Sequence, residues 1–152
     1  MYFANFESVM KYGIIFWGRN GLIEKVFVAQ KRVLRSIKKM KFRDSCRGIF
    51  RNEGILTVHG MYIYECLIFF FNNKDSFNMQ TYHGYQTRTL NVNYPGHRLT
   101  LTERNPCYMC IKFFNHLPDN YKDIESQKIF KMSIKQMLID LEPYSLNEYF
   151  DR

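Results

Sequence analysis

Between Leu22 and Met40 the apolar and the basic residues separate at a helical period. With Val26 set at zero and about 100° advanced per residue, Leu22, Ile23, Phe27, Val33, Leu34 and Ile37 fall between about −40° and 100°. On the same wheel Lys31, Arg32, Arg35, Lys38 and Lys39 fall between about 120° and 240°. A strand cannot sort the two sets in this way, because its side chains alternate with a period of two. The segment therefore predicts an amphipathic helix over Leu22–Met40, with one face in a core and a continuous basic stripe opposite. Gln30 lies near 40°, in the middle of the apolar face. A polar group there must find partners, so its amide is expected to clasp the backbone of another helix.

The rest of the chain predicts helices as well. A first, aromatic-rich helix is expected from Tyr2 to Phe16, ended by Gly18 and the Asn20-Gly21 pair. A short third helix is expected after an N-cap at Asp44 or Ser45, closed by Gly54. The fourth, Val58–Asn72, is apolar nearly all round, which marks a buried central helix. Residues 73–104 are rich in Asn, Thr and Gly with isolated apolar residues, and predict an extended excursion with two short strands at Thr89–Asn93 and Arg98–Thr102. Helical pattern returns at Pro106, a favoured first helical residue, and stops at Pro118. Ser126 opens an amphipathic helix carrying Ile129, Phe130, Ile134, Met137, Leu138 and Leu141, which Pro143 ends. Ser145 and Glu148 form a capping-box pair for a last short turn. The expected fold is mainly α: a single small helical domain over 1–152, made of segments 1–72, 73–104 and 105–152.

The chain has 152 residues, 22 Lys+Arg against 14 Asp+Glu and a formal charge of +8. A chain of that length buries enough surface to fold without a disulfide or metal staple. The excess charge is local. Residues 31–51 hold nine basic residues and one acid, Asp44, whereas residues 113–152 hold five basic and seven acidic. A polyanion is the partner such a cluster suits. No apolar run reaches the roughly 20 residues of a membrane span, since Met61–Phe71 is short and contains Glu65. Glu7 stands where an export signal would carry positive charge. An intracellular protein is therefore expected, with Cys46, Cys66, Cys107 and Cys110 as thiols. The 31–51 cluster also suits a nuclear import signal.

Five cations on one helical face repel one another by a few tenths of a kcal/mol per close pair. A phosphate backbone relieves that repulsion and releases counterions on contact, whereas the plainer reading is a solvated face. The Cys107-Tyr-Met-Cys110 pair, with His116 nearby, has no second pair at metal spacing, so burial of the thiols outweighs zinc and no metal site is expected. No GxGxxG, P-loop, HExxH or GxSxG motif occurs. No pair of acids suggests a two-metal phosphoryl-transfer site.

Several segments in order carry a resemblance. They begin with Tyr2-Phe-Ala-Asn-Phe-Glu-Ser-Val-Met-Lys-Tyr-Gly-Ile-Ile-Phe-Trp17-Gly18, then Gln30-Lys31-Arg32 with Arg35 and Ile37, and Arg43-Asp-Ser-Cys-Arg47 with Phe50. There follow Gly54-Ile-Leu-Thr57, Tyr62-Ile-Tyr-Glu65, His83-Gly-Tyr85-Gln-Thr87-Arg88, Asn115-His-Leu-Pro118 and Phe130-Lys131. In this order they resemble the part of non-LTR retrotransposon reverse transcriptases, of the jockey-like group, that follows the polymerase palm. The resemblance covers nearly the whole chain, through short motifs. Where that family has a glycine turn this chain has Lys39-Met40-Lys41, and Cys110 stands where a small residue is usual.

The resemblance implies a thumb-like region over 1–72 and C-terminal helices over 105–152. It implies a parent RNA-directed DNA polymerase whose Mg²⁺-binding aspartate pair lies upstream, in a motif absent from this chain. Met1 stands where the parent would continue, so the expectation is a fragment or remnant that is inactive alone and needs no cofactor itself. A thumb tracks the template–primer duplex through phosphates, which gives Lys31, Arg32, Arg35, Lys38 and Lys39 the backbone of RNA or an RNA–DNA hybrid as partner. Arg88, beside Tyr85, is a second candidate. The competing reading is an inert or protein-interaction remnant. Its aromatic first helix, which packs on the palm in the parent, would then be exposed and promote self-association.

Overall fold

The computed structural model describes residues 2–77, 91–94 and 105–151, with the side chains of Phe3, Ala4 and Asn5 left aside. The described residues are mainly helical and contain no strand. A π-helical stretch, Tyr2–Glu7, leads into α1 (Ser8–Lys11) and α2 (Ile14–Trp17). The long α3 (Ile23–Ile37) is followed by the single turn α4 (Ile49–Asn52), by α5 (Val58–Asn72) and by a 3-10 turn at Lys74–Phe77. Then come α6 (Pro106–His116), α7 (Asp119–Lys122), α8 (Gln127–Leu141) and α9 (Leu146–Phe150). The chain divides into two compact units, Met1–Tyr62 with Lys135–Arg152, and Ile63–Ile134.

In the first unit Ile23, Phe27 and Leu34 of α3 are buried together with Tyr2, Met10, Ile14, Phe50, Leu138 and Tyr149. The Phe27 ring is a hub. His59 and Tyr144 both meet it edge-on at 84°, with centroids 5.1 and 4.8 Å away. Gln30 is fully buried and does what its place on the wheel requires. Its Nε2 donates to the Tyr2 hydroxyl at 2.7 Å and to the Leu56 carbonyl at 2.9 Å, while its Oε1 accepts the Val58 N–H at 2.9 Å. That last bond satisfies one of the orphan donors at the start of α5.

In the second unit the core is aromatic. Phe70 stacks on Phe114 at 4.3 Å and lies 4.8 Å from Phe77, and Phe71 stacks on Phe130 at 4.4 Å. Asn115 holds residues 91–94 in place: its Oδ1 accepts the Val92 N–H and its Nδ2 donates to the Val92 carbonyl, each at 2.8 Å. Both backbone groups of Val92 are thereby satisfied without a strand partner. Asn105 caps α6, accepting the Cys107 N–H at 2.9 Å, with Pro106 at the first helical position.

Some expectations need correction. The aromatic first helix is not continuous, because Gly13 takes φ +62° and Tyr12 is extended, which splits α1 from α2. The third helix starts later than Asp44 or Ser45, after Gly48. Asp44 instead closes a turn with Lys41, and Ser45 Oγ accepts the Arg47 N–H at 3.2 Å. The core arc of α3 is narrower than the apolar arc: Leu22 and Ile37 are each 53% exposed, because burial centres on Ile23, Phe27, Gln30 and Leu34. Ile129 is also exposed, lying beside the buried line of Phe130, Ile134, Met137 and Leu138 on α8. Of the two expected strands, residues 91–93 of Thr89–Asn93 have no regular structure; the other residues of both strands lie outside the described residues.

Candidate nucleic-acid interface

With the Gln30 side of α3 anchored in the core, the stripe faces outward, and the structure sorts its cations into two groups. Lys31 and Arg35 are half-buried. The Lys31 ammonium sits 4.2 Å from the centroid of Phe27 and 5.6 Å from that of Tyr144, a cation–π arrangement. Arg35 Nε donates to the Asp44 carbonyl at 2.9 Å. These two cations hold the scaffold together. Lys38 pairs with Glu53 at 2.5 Å, with both side chains partly exposed. Arg32 and Lys39 are exposed and form no ion pair with a described residue. Arg88 and Tyr85 lie outside the described residues.

Lys39 ends α3 in an unusual way. It takes φ +53°, with Met40 N–H donating to the Arg35 carbonyl at 2.9 Å and Lys39 N–H to the Ser36 carbonyl at 3.3 Å. This is a Schellman closure, in which the left-handed position is ordinarily glycine. The end of α4 repeats the geometry with that glycine present: Gly54 takes φ +62°, Ile55 N–H donates to Phe50 and Gly54 N–H to Arg51. At the end of α3 the same position holds a cation, at a cost of about 1 kcal/mol relative to glycine.

Beyond Lys39 the chain makes a braced turn. Asp44 Oδ2 accepts the Lys41 N–H at 2.8 Å, and Asp44 N–H donates to the Lys41 carbonyl at 3.1 Å. Phe42 and Arg43 form the corner. Phe42 is 73% exposed, and Lys41 and Arg43 on either side are exposed too. Downstream, Cys46 is buried with its Sγ 3.8 Å from the Lys31 carbonyl.

The C-terminal segment supports this surface from behind. Both oxygens of the buried Glu142 carboxylate accept the Gly48 N–H at 2.8 Å, and Glu142 is itself left-handed at φ +47°. Arg47 bonds Glu148 at 3.0 Å and lies 4.5 Å from the Tyr144 ring centroid. Glu148 also accepts the Tyr144 N–H at 3.0 Å and donates its own N–H to Ser145 Oγ, which completes the α9 cap. Arg51 donates to the Asp140 carbonyl. Burial pushes the Tyr144 hydroxyl well above the ordinary tyrosine range, with Glu142 adding to the rise. The Tyr2 hydroxyl is pushed up to about 12, also by burial. Both stay neutral at any physiological pH.

Other candidates are placed elsewhere. Cys107 is exposed and Cys110 buried, and burial raises the Cys107 thiol above its ordinary value, with Cys110 adding to the rise. Among the described residues no group of three His, Cys, Asp or Glu side chains converges on a metal position. No described helix is long and apolar enough to cross a membrane. In the aromatic first segment Val9, Tyr12 and Phe16 are strongly exposed, Tyr12 at 87%. Sequence reasoning missed Phe42, whose signal was an aromatic between two cations just before a turn-closing aspartate. It also missed the C-terminal braces, which no local pattern announces.

No family model matches the chain, and neither does any curated protein or solved structure.

Proposed function

We propose that this chain is a sequence-tolerant nucleic-acid-binding helical module, the post-palm and thumb part of a non-LTR retrotransposon reverse transcriptase without its catalytic palm. The observation that carries the reading is the exposed cation group at the end of α3 and in the following turn: Arg32, Lys39, Lys41 and Arg43. The only acid in that stretch is Asp44, whose carboxylate accepts the Lys41 N–H and whose backbone carbonyl accepts from Arg35. Four cations against one carboxylate leave the group with net positive charge on a rigid frame, which suits phosphates along a backbone. The ordered motifs from Tyr2 to Lys131 support the family half of the reading. No catalytic step is assigned to the chain, because the paired aspartates of the parent's Mg²⁺ site are not among its residues.

The test is a salt titration of binding to an RNA–DNA hybrid. Replacing Arg32, Lys39, Lys41 and Arg43 by alanine leaves the inner cations Lys31 and Arg35 in place, so the fold is kept. The slope of log affinity against log salt is expected to shrink by about 0.7–0.9 for each phosphate contact removed. An unchanged slope and affinity would sink the reading.

The exposure of Val9, Tyr12 and Phe16 favours a second reading, a protein-interaction remnant whose first segment covers an apolar surface of a partner or a second copy. A sedimentation series over rising concentration separates the two. Self-association abolished by Tyr12→Ser and Phe16→Ser supports the second reading, and a monomer throughout removes its basis.

A further inference from the structure

We infer that Phe42 is a stacking platform for an unpaired nucleobase, so that the basic turn binds single-stranded RNA or DNA and not only a duplex backbone. This rests on the nucleic-acid reading above and goes further by naming the part of the nucleic acid that is gripped.

A single exposed phenylalanine is ordinary on a protein surface; three features set this one apart. The first is its rigid mount. The turn is closed at both ends by the Lys41 and Asp44 bonds at 2.8 and 3.1 Å, and Arg35 holds the Asp44 carbonyl at 2.9 Å. Arg35 belongs to α3, so the corner is tied to the core-anchored helix and does not hang on a free loop. Little ordering is then left to be done on binding.

The second feature is the company of the ring. Lys39, Lys41 and Arg43 surround Phe42 in sequence and all are exposed. Phosphates lie on either side of any base in a strand, so a ring flanked by cations meets the repeating chemistry of a single strand. The third is the contrast with most other aromatic rings of this unit; Tyr12 and Phe16 are exposed too, but in the first segment, where the neighbouring cation Lys11 is paired with Glu7. Phe27, Phe50 and Tyr149 are buried, and Tyr144 is occupied by Lys31 and Arg47. Phe42 is 73% exposed, at the corner of a turn whose exposed cations Lys39, Lys41 and Arg43 outnumber its one acid, Asp44.

Base–aromatic stacking is sequence-tolerant, because every base has a π-face, and it is strongest where the base is not already stacked in a duplex. An internal base pair of a long hybrid offers Phe42 no face. An unpaired strand offers one at every step, in RNA and DNA alike.

The experiment compares the wild-type chain with Phe42→Ala, Phe42→Trp and the Arg32→Ala/Lys39→Ala pair. Fluorescence anisotropy is read with an unstructured single strand, as oligo-uridine and as oligo-thymidine, and with a long blunt-ended RNA–DNA hybrid. The ring is 73% exposed, so circular dichroism of Phe42→Ala should match wild type. Phe42→Ala is expected to lose about 10- to 100-fold in affinity for both strands while hybrid binding changes less than about two-fold. Phe42→Trp should bind the strands as well as wild type or better. Equal losses on strand and hybrid, no loss on either, or no rescue by tryptophan would overturn the stacking role. No loss on either would leave the ring as a protein contact. The failures are separable. A wild-type chain that binds neither probe removes the nucleic-acid reading altogether. Binding weakened by Arg32→Ala/Lys39→Ala but untouched by Phe42→Ala removes only the stacking site.

Discussion

Helices α3 and α5 are each fifteen residues long and are built on opposite plans. From α3 only Ile23, Phe27, Gln30 and Leu34 are buried. From α5 the whole run Val58–Ile63 is buried, and Cys66, Leu67, Ile68 and Phe70 after it. Stability lies in α5, where almost every position has packing neighbours to lose. Surface chemistry lies on α3, where a minority of positions fixes the helix and the others are free to carry charge. The two meet at the first turn of α5, where Gln30 from the middle of α3 takes the Val58 N–H and Glu24 from its first turn meets His59 Nε2 at 3.1 Å. A substitution on the outer face of α3 can therefore change surface charge with little effect on the fold, whereas most substitutions in α5 disturb packing.

The hardest test of that contrast is Phe70→Ala, which removes a fully buried ring stacked on Phe114. Urea denaturation should show a loss of about 3–5 kcal/mol; a loss below about 1 kcal/mol would break the assignment of stability to α5. Next comes Gln30→Ala, which strands the Leu56 carbonyl and the Val58 N–H in the core. The expected loss is about 2–3 kcal/mol, comparable to that of removing a buried apolar side chain from α3. Lys39→Gly should act in the opposite direction. Glycine suits the left-handed closure, so midpoint denaturant should rise by the equivalent of about 0.5–1 kcal/mol while nucleic-acid affinity falls. If stability fell instead, the closure would not carry the strain ascribed to it.

The smallest effect is pH-dependent. Burial lowers the His59 pKa below its ordinary 6.5, although Glu24 pulls it upward. The unfolded chain then binds the proton more readily than the folded one. Stability from this group is complete above pH 6.5 and declines as pH falls below that value toward the folded pKa. His59→Leu should flatten the stability profile just below pH 6.5, as read by thermal melts at several pH values. An identical slope in the variant would show that the histidine charges equally well in both states.

Much of this was legible because some signals are local. A helix apolar all round, a glutamine within an apolar arc, a glycine after a short helix and a proline at a helix start each have a single physical reading, and α5, Gln30, Gly54 and Pro106 bear those readings out. The limits are equally physical. A wheel gives the angle of an apolar arc but not how far neighbouring elements reach around it, so Leu22 and Ile37 were expected in the core. Lys39 carries no sign of its left-handed backbone. Of the candidate interface, the sequence showed which residues are basic. It did not show that Lys31 and Arg35 are invested in Phe27, Tyr144 and Asp44, because Tyr144 comes from the far end of the chain and the turn that returns Asp44 to Arg35 has no local signature.

The bond from Glu142 to Gly48 spans 94 positions. The ribosome delivers a chain from its N-terminus, so Lys31, Arg35 and Arg47 emerge long before Tyr144, Glu142 and Glu148 exist to receive them. Until then the first unit lacks its second chain segment, and residues 63–134 have time to settle on their own. The basic surface can take its final shape only once residues 142–148 have emerged. An early stop anywhere in that intervening stretch would spare every cation of α3 and of the turn after it and still leave them without Glu142, Tyr144 and Glu148.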